Sequence, residues 1–522
     1  MSADRSPAAE RVRTAEVIGS LCLATDLGMG FPFEHGLQTT IIAMRLADRL
    51  GLDRKTCADT YYASLLSHAG CTTEVHVSAE IFGGSLTEHL NPVMRGSLPE
   101  TLRGLLRALP EPGASGIIAA AQAARRLPSA ARGLQPSLNA TCEVAGMLAE
   151  HTGAPTSVRG MLAYLTDRWD GRGPLRRGRG EGIPLPMRIV HVAEDAALHR
   201  VLGGVDHAVG LLRERSGHAF DPAITACLVG AGSGMLHFED GGSVWDEAMS
   251  MEPDPPRTLS GDAVEKALGA MGNFADLVSP FLSGHSAGVA RLASTAAGRL
   301  GLDSTVVRRA GLVHDLGRVA VGARIWQKTE PLSADEWEKV RLHPYHTERV
   351  LSRAPVLAGL APLASSHHER LDRTGYHRGA GPELPMEARL IAAADTFHSM
   401  CEPRPHRTAL HPEKAAWALA EEANGGRLHP DAVAAVVEAA GIPAPPLERP
   451  EGLTEREVEV LGMLARGLAT KQVAHALGIS AKTADHHIQH VYAKIGVTSR
   501  AAATIYAMEK GLVGWARPPK AG

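Results

Sequence analysis

Aromatic residues are scarce in this sequence: Phe, Trp and Tyr make up 4% of the 522 residues, while hydrophobic residues make up 44%. The interior must therefore be built mainly from Ala, Leu and Val, a composition that favours packed helices. The sequence also lacks any run of about 18 apolar residues, which excludes a membrane-spanning helix of the usual length. The formal net charge of −3 is too small to indicate or exclude a charged partner.

Cysteines are few and scattered, and no two of them form a C-x-x-C pair. The six cysteines are Cys22, Cys57, Cys71, Cys142, Cys227 and Cys401. This spacing argues against a disulfide framework and against a structural zinc site of paired cysteines, and it fits a reducing compartment. The N-terminal residues lack the apolar core of a signal peptide. We therefore expect a cytoplasmic protein without a membrane segment.

Histidine, in contrast, is abundant, with 25 residues. A lone histidine is more often a core or surface residue than a ligand, but one stretch carries an ordered set of metal-ligating side chains at intervals of 24 to 29 residues. The set is His285, His314, Asp315, His343, His367, His368 and Asp395. Helices of that spacing can return to one point in a bundle, and histidine with carboxylate suits iron, manganese, zinc or nickel better than calcium. The pattern predicts a dinuclear metal site, with the carboxylate of the His-Asp pair bridging two ions.

The text around these ligands is also specific. It reads HDLGR, IWQKTEPLSADEWEKVRLHPYH, HHERLDRTGYH, ARLIAAAD and EPRPHR. Roughly residues 275–440 resemble an HD-GYP phosphohydrolase domain, the class that hydrolyses cyclic di-GMP. The resemblance implies that the seven side chains hold two divalent ions, with His314 and Asp315 at the catalytic centre. Iron and manganese are expected first, and zinc, nickel and magnesium are the alternatives.

The resemblance further implies a set of substrate-binding residues. They are Arg318, Tyr376, Arg404 and Arg407. The three arginines offer forked donors to phosphate, and the tyrosine packs on a base or shapes its loop. The sequence departs from the family pattern at the loop 375–377, which reads Gly-Tyr-His, and at Arg318, where a lysine is usual. Phe281 stands where some members carry a glutamate for a third metal, so two metals are expected.

The first half of the chain repeats the second half. His35 stands 14 residues before the run RLGLD at 49–53, and His285 stands 14 residues before the same run at 299–303. The offset is 246 residues between His68 and His314 but 202 between Asp170 and Asp372. The first copy therefore carries 44 extra residues, the difference of the two offsets, and we place them within residues 80–155 as helices and loops.

The first copy has lost most of the ligands. His35, His68 and Asp170 remain, while Ala69 replaces the aspartate of the His-Asp pair, Leu165 and Thr166 replace the double histidine, and Glu194 stands for Asp395. A remaining histidine–carboxylate pair could hold one ion, but the bridging carboxylate is gone, so we expect no catalysis there. A structural or ligand-sensing role is the expectation, with the two copies packed as a pseudo-dimer.

The C-terminal residues carry a second signal. Residues 452–515 resemble a LuxR-type DNA-binding domain in LTEREVEVLGMLARG, KQVAHALGIS and KTADHHIQHVYAKIGVTSR. Thr454 and Glu457 form a capping box that predicts a helix start, and Thr470 and Ser480 are the predicted caps of the next two helices. The resemblance places the third helix in the major groove. The predicted DNA-binding residues are Lys471, Lys482, Thr483, Asp485, His486, Gln489 and Lys494. A merely solvated helical face is the alternative.

These observations predict an all-α protein with two HD-domain-like helical bundles in tandem and a small four-helix LuxR-type helix-turn-helix domain. The predicted boundaries are 1–250 for a degenerate HD-GYP-like domain, 251–440 for an HD-GYP phosphohydrolase domain, 441–451 for a proline-rich linker and 452–522 for the DNA-binding domain.

Two functions follow from this organisation. The first is a metal-dependent phosphodiesterase of cyclic di-GMP, or of a related phosphodiester, coupled to a transcription regulator that binds promoter DNA as a homodimer. The second is a catalytically weak or inactive HD domain that serves the same regulator as a nucleotide or metal sensor. The intact ligand set favours the enzyme, and the Gly-Tyr-His loop and Arg318 favour the sensor.

Overall fold

The structure is a computed structural model, and it describes residues 11–71, 90–111, 113–239, 241–443, 453–510 and 512. The regular secondary structure of the described residues is almost entirely helical, which confirms the predicted all-α fold. Their one sheet has two short antiparallel strands, β1 (Val12–Arg13) and β2 (Thr258–Leu259). None of the described helices combines the length and the apolar character needed to cross a membrane.

The first copy forms nine helices in the described residues. They are α1 (Thr14–Met29), α2 (His35–Arg49), α3 (Arg54–Leu65), α4 (Leu98–Ala108), α5 (Gly116–His151), α6 (Thr156–Met161), α7 (Leu185–Arg215), α8 (Pro222–Gly230) and α9 (Val244–Ser250). Short 3-10 helices span Asn91–Val93, Leu162–Tyr164, Gly180–Gly182 and Gly232–Leu236. Helices α4 and α5 fall in the stretch where the extra residues of this copy are expected.

The second copy is built from shorter helices. They are α10 (Asp262–Asp276), α11 (His285–Arg299), α12 (Ser304–Val313), α13 (Ala323–Trp326), α14 (Ala334–Arg341), α15 (His343–Leu351), α16 (Pro355–Ala358), α17 (Ala361–Ala364), α18 (Met386–Met400), α19 (Pro412–Asn424) and α20 (Pro430–Ala439). Its 3-10 helices span Pro280–Leu282 and Leu316–Ala320.

The repeated RLGLD run makes the same local structure in both copies. Gly51 (φ 63°) and Gly301 (φ 71°) are left-handed, a conformation that glycine adopts at little cost and that ends the preceding helix. Two residues later Asp53 and Asp303 each accept hydrogen bonds from two backbone N–H groups of the next helix. Such caps stabilise a helix by about 1 kcal/mol, so the run sets a helix–turn–helix corner in each copy.

The chain divides into two compact units, Met1–Gly284 with Asp315–Ala361, and His285–His314 with Pro362–Gly522. In the first unit α2 packs against α3 and α7; in the second unit α11 packs against α12 and α18. By sequence these are equivalent helices of the two copies. The predicted domain boundaries cross these units and stay a prediction.

Within the first unit, residues 315–361 of the second copy contact the start of the first copy. The backbone N–H of Val356 donates to Glu16 at 3.2 Å, and Arg353 pairs with Glu34 at 2.8 Å. The guanidinium of Arg349 lies 3.8 Å from the ring centre of Phe33. The predicted pseudo-dimer of whole copies remains a prediction.

The C-terminal domain has four helices in its described residues: α21 (Glu455–Ala465), α22 (Thr470–Ala476), α23 (Ala481–Lys494) and α24 (Arg500–Glu509). The capping box of Thr454 and Glu457 is present, and Ser480 caps α23 as predicted. The prediction for Thr470 is wrong, because Ala469 is the N-cap and its N–H donates to the side chain of Gln472. The predicted linker lies largely outside the described residues.

Candidate metal centre and nucleic-acid interface

Three helices of the second unit bring predicted ligands together. His285 is the first residue of α11, His314 follows the last residue of α12, and Asp395 lies on α18. One ligand atom from each of the three side chains lies within 4.8 Å of the others. All three side chains are buried, with at most 2% exposed. Histidine and carboxylate atoms so close together and so well buried have the arrangement needed to hold a metal ion.

The hydrogen bonds of the histidines fix which ring nitrogen can ligate. Nδ1 of His314 donates to the carbonyl of Gly311 at 2.8 Å, and Nδ1 of His367 donates to the carbonyl of Ala364 at 2.7 Å. A carbonyl oxygen only accepts, so the Nδ1 atom carries the proton and the lone pair of the neutral ring lies on Nε2. Such outer hydrogen bonds orient metal-binding histidines and raise their basicity.

Asp395 lies at the centre of this set. Its Oδ1 atom is 3.1 Å from Nε2 of His285 and 3.9 Å from Nε2 of His314, and its Oδ2 atom is 3.9 Å from Nδ1 of His368. Burial alone would raise the pKa of Asp395, but the neighbouring imidazoles of His285, His314 and His368 outweigh burial and hold the pKa well below its usual value. The carboxylate is therefore ionised at neutral pH, as a metal ligand must be.

The double histidine lies beside this cluster. The ring of His367 meets that of His314 with 4.8 Å between centroids. The ring of His368 stacks on Tyr376 at 4.6 Å and 28°. A Cβ atom on Gly375 would lie 2.5 Å from the carbonyl oxygen of His368, so only glycine allows this close approach. Tyr376, predicted to contact substrate, therefore contacts a predicted ligand.

Two residues near the site were not predicted. Oε2 of Glu402 accepts from Nδ1 of His285 at 2.8 Å, and Glu402 also pairs with His398 at 3.1 Å. His285, His398 and Glu402 form a further group whose ligand atoms lie within 4.8 Å of one another. The absence of a side chain at Gly288 makes room for the ring of His398, because a Cβ atom at this position would lie 1.9 Å from Nε2 of His398. The available signal was the EPRPHR segment, in which Glu402 is the acid.

The first unit holds the other two predicted ligands side by side. Nε2 of His343 is 3.4 Å from Oδ1 of Asp315, and Nδ1 of His343 donates to the carbonyl of Val340 at 2.6 Å. His343 therefore has the same tautomer as His314 and His367. Arg318 pairs with Oδ2 of Asp315 at 2.7 Å and lies over the ring of Trp326 at 5.5 Å. Asp315 follows His314 directly in the chain.

The other two predicted substrate arginines lie just after α18. Arg407 donates to the carbonyls of Ser399, Met400 and Glu402, so it caps the end of α18, a common role for arginine at a helix C-terminus. Arg404 pairs with Glu402 at 2.8 Å. Their predicted contact with phosphate stays a prediction.

The residues of the second copy fit a metal by their chemistry. Three histidines have their lone pairs on Nε2, and two buried carboxylates, Asp315 and Asp395, stand beside imidazoles. Nitrogen and oxygen donors of this kind suit first-row transition metals. When bound, such cations supply a nucleophilic hydroxide at neutral pH and polarise a phosphoryl oxygen.

In the first copy, the carboxylates equivalent to the predicted metal ligands, or next to them, are paired with arginines. Nε2 of His68 lies 2.9 Å from Glu194, whereas the equivalent atoms of His314 and Asp395 in the second copy are 3.9 Å apart. The guanidinium of Arg95, however, pairs with both Glu194 and Asp195. Arg215 pairs with the second oxygen of Asp195 at 2.7 Å. A protein cation therefore neutralises the carboxylates that would face a metal.

Several of the side chains predicted to bind DNA are exposed on α23. Lys482, Asp485, His486 and Gln489 are all exposed on this helix, and their spacing of three, four and seven residues places them on one side. The opposite side of the helix, with Ala484, Ile488 and Val491, is buried in the domain. This division leaves one polar face of α23 open for a partner.

Two of the predicted phosphate-binding residues make contacts within the domain. Nζ of Lys494 pairs with Oε2 of Glu457 at 2.7 Å, and the hydroxyl of Thr483 lies 2.7 Å from that of Ser480. Lys471 is exposed on α22. Their roles on DNA stay predictions.

Comparisons with known proteins give both domains. Residues 270–431 match the HD domain family, and residues 451–507 match the bacterial regulatory proteins of the luxR family. A 3'3'-cGAMP-specific phosphodiesterase 3 of Vibrio cholerae is 27% identical over 448 residues, which cover 81% of this chain and 94% of that protein. A cyclic di-GMP phosphodiesterase of Thermotoga maritima is 33% identical over 137 residues, 26% of this chain and 37% of that protein.

A solved structure agrees with these matches. A crystal structure of a cyclic GMP-AMP specific phosphodiesterase of V. cholerae superposes with a TM-score of 0.55 and 24% identity, covering 83% of this chain and 98% of that chain. At this identity the likeness shows a shared fold. The chain thus has an HD domain and a C-terminal LuxR-type helix-turn-helix domain. It is homologous to the HD-GYP phosphodiesterases of cyclic dinucleotides.

Proposed function

We propose that this protein is a metal-dependent phosphodiesterase of a cyclic dinucleotide whose activity is coupled to DNA binding by its LuxR-type domain. The observation that carries the proposal is the buried group of His285, His314 and Asp395, whose ligand atoms lie within 4.8 Å of one another. The names of the homologues, which act on 3'3'-cGAMP or cyclic di-GMP, support the substrate class.

The proposed metal centre uses all seven predicted ligands and two divalent ions, iron or manganese before zinc, nickel or magnesium. The proposed ligands are His285, His314, Asp315, His343, His367, His368 and Asp395. His314, His343 and His367 offer Nε2 because backbone carbonyls hold the proton on Nδ1. Asp315 and Asp395 supply the anionic oxygens. Asp315 directly follows His314 in the sequence.

The protein's own residues would prepare the reaction in two ways. Glu402 holds the ring of His285 through Nδ1, and Tyr376 holds the ring of His368 by stacking. Both contacts restrict the orientation of a proposed metal-ligating histidine before substrate binds. Contacts of this kind outside the ligand shell influence the metal affinity of a site. Arg318 and Arg404 stand beside Asp315 and Glu402, where a phosphate that displaced those pairings would find forked donors.

We further propose that the LuxR-type domain binds double-stranded promoter DNA as a homodimer. Helix-turn-helix proteins commonly read two half-sites about 34 Å apart, one per subunit, and each chain here has a single such domain among its described residues. Asp485 and Gln489 suit cytosine N4 and the adenine edge, respectively, and Lys482 suits phosphate.

The test is hydrolysis of cyclic di-GMP and of 3'3'-cGAMP by the full-length protein, with the metal content measured on the same samples. We expect turnover of at least one nucleotide to linear product, and its loss in the His314→Ala, Asp315→Ala double variant. A Lys414→Ala variant, at an exposed position of α19, serves as the surface control. Turnover that survives in the double variant would exclude this site as the catalytic centre.

A sensor without turnover is the second candidate, and one observation favours it. Arg318 stands where the family pattern has a lysine, and it is held between Asp315 and the ring of Trp326. Arginine is a poor proton donor to a leaving oxygen because its pKa exceeds 12. Metal and nucleotide binding without hydrolysis, together with a change in DNA affinity on adding nucleotide, would identify the sensor.

A further inference from the structure

The first copy contains a cavity of about 170 Å³ at the place where its ligand equivalents meet. Its walls include His35, His68, Thr166 and Glu194, the residues that correspond by sequence to His285, His314, His368 and Asp395. Asn91 also lines it, and the run Leu90-Asn91-Pro92 resembles Leu342-His343-Pro344 of the second copy. The first copy has therefore kept the space of a site while it has replaced the ligands.

The cavity is not a metal site, because a protein cation stands among its carboxylates. Each of the four carboxylate oxygens of Glu194 and Asp195 already has a cationic partner: His68, both terminal nitrogens of Arg95, and Arg215. Arg168 fixes the backbone of Arg95 through its carbonyl oxygen at 2.6 Å. No carboxylate of this cluster is left for a metal or for a cationic ligand.

In the described lining of the cavity, the buried polar atoms that still lack a partner are mainly donors. Among the residues that line this cavity, the ones concerned are Arg95 (Nε), Asn91 (Nδ2), His35 (Nδ1) and Thr166 (Oγ1), and all four atoms are buried. His35 is 1% exposed, and burial first, then the charge of His68, lowers its pKa to about 3, so its ring is neutral. Buried donors without acceptors cost about 1–3 kcal/mol each, a cost that a ligand with acceptor oxygens would remove.

The rest of the wall is apolar, with Phe31, Met94, Leu138 and Leu198 among its residues. The volume is close to that of a cavity of roughly 150 Å³ that holds a benzene-sized molecule. A cyclic dinucleotide, with two bases, two sugars and two phosphates, is far larger. We propose that this cavity binds a small carboxylate with an apolar body about the size of one ring, with Arg95, Asn91 and His35 receiving its oxygens.

The experiment uses 4-fluorobenzoate as the probe and records its fluorine NMR signal in the presence of the full-length protein. We expect line broadening that unlabelled benzoate reverses and that benzyl alcohol, a neutral molecule of similar size, reverses at least about tenfold less well. Benzyl alcohol competing as well as benzoate would overturn the carboxylate assignment. A signal unchanged by protein would overturn the site.

Variants locate the binding. Leu138→Trp fills the cavity and should weaken binding at least about tenfold, whereas Met147→Trp adds the same side chain at an exposed position of the same helix, α5, and should leave binding unchanged. Thr166→Val removes one buried hydroxyl with little change of shape and should weaken binding about threefold, a second test if Leu138→Trp does not fold. Equal binding by all three variants and the wild type would overturn the proposal, as would loss of binding in His314→Ala, Asp315→Ala.

Discussion

The two copies differ most clearly in what stands beside an equivalent carboxylate. In the second copy Asp395 faces the imidazoles of His285 and His314. In the first copy Glu194 faces one imidazole, that of His68, and the guanidinium of Arg95. Both acids are buried and both have lowered pKa values. A buried carboxylate needs a positive partner in either case. In the second copy the neighbours are imidazoles that could hold a metal, and in the first copy the partner is the guanidinium of an arginine.

Replacement of metal-ligating residues by an arginine also changes what the stability of the first copy depends on. An arginine is always charged and always present, so the folded first copy does not depend on metal supply. A site of histidines and carboxylates that binds a metal in the folded state is stabilised by an amount that rises with the logarithm of the free metal concentration above its Kd. The comparison predicts that mutations and chelators act differently on the two copies.

The largest effect is expected from Asp395→Ala. Removal of a central ligand should lower hydrolysis by at least about a thousandfold, because a two-metal site loses both its nucleophile and its charge stabilisation. Rates of nucleotide hydrolysis measure this, with Glu387→Ala on the same helix, α18, as the control. A loss of less than tenfold would contradict the assigned role of Asp395.

A large loss of stability is expected from Arg95→Leu in the first copy. The side chain of Arg95 is 13% exposed, and removing one partner of a buried ion pair costs about 3–5 kcal/mol because it leaves charge unpaired. Denaturant unfolding followed by circular dichroism gives the change. The triple variant Arg95→Leu, Glu194→Gln, Asp195→Asn should recover part of the loss; no recovery would show that Arg95 acts by packing.

A smaller effect on metal affinity is expected from Glu402→Ala. This change frees the ring of His285, and the loss of an outer hydrogen bond of this type lowers metal affinity by roughly 10- to 100-fold. Titration of the metal-free protein with Mn²⁺ measures it. Glu402→Gln can still accept from Nδ1 and should retain most of the affinity; equal losses in the two variants would point to a role for the charge instead.

A still smaller effect is expected in the loop that carries Tyr376. Tyr376→Ala removes a ring that stacks on His368, and an aromatic pair contributes about 0.5–1.5 kcal/mol. Hydrolysis should fall between roughly twofold and tenfold, while Tyr376→Phe should stay close to the wild type. If Tyr376→Phe lowered hydrolysis as much as Tyr376→Ala, the hydroxyl and not the ring would be responsible for the effect.

The smallest effect concerns the pH dependence of the first copy. Burial raises the pKa of Asp26 to about 7, against lowering by the N–H of Gly36 and by His68. The folded state then binds a proton more tightly than the unfolded state. Its contribution to stability is complete below pH 4 and is lost as the pH rises through 7. Asp26→Asn should therefore raise the melting temperature at pH 8 by about 2–4 °C and leave it unchanged at pH 4. A uniform shift at both pH values would contradict the raised pKa.

The sequence predicted those parts of the molecule in which short-range chemistry decides the structure. The capping box of Thr454 and the cap of α23 at Ser480 both follow from interactions within a few residues. The meeting of His285, His314 and Asp395 was predictable because they recur with a spacing that helices can bring together.

The parts that were not predicted depend on distant contacts. Glu402 faces His285 across 117 residues of chain, and Arg95 meets Glu194 across 99. Neither position carries a spacing rule that a single sequence reveals. For the same reason the sequence did not show that Lys494 pairs with Glu457 rather than extending freely to a phosphate. Tertiary packing decides which side chain pairs with a given charged group and which one occupies a given space.

The most direct test of the account is the metal content of the purified full-length protein and of one double variant in each copy. We expect about two ions per chain in the wild type, as in two-metal hydrolases. The His314→Ala, Asp315→Ala variant should lose them, and the His35→Ala, His68→Ala variant should keep them. Loss of metal in the first-copy variant, or no metal in the wild type, would contradict the claim that the second copy alone binds metal.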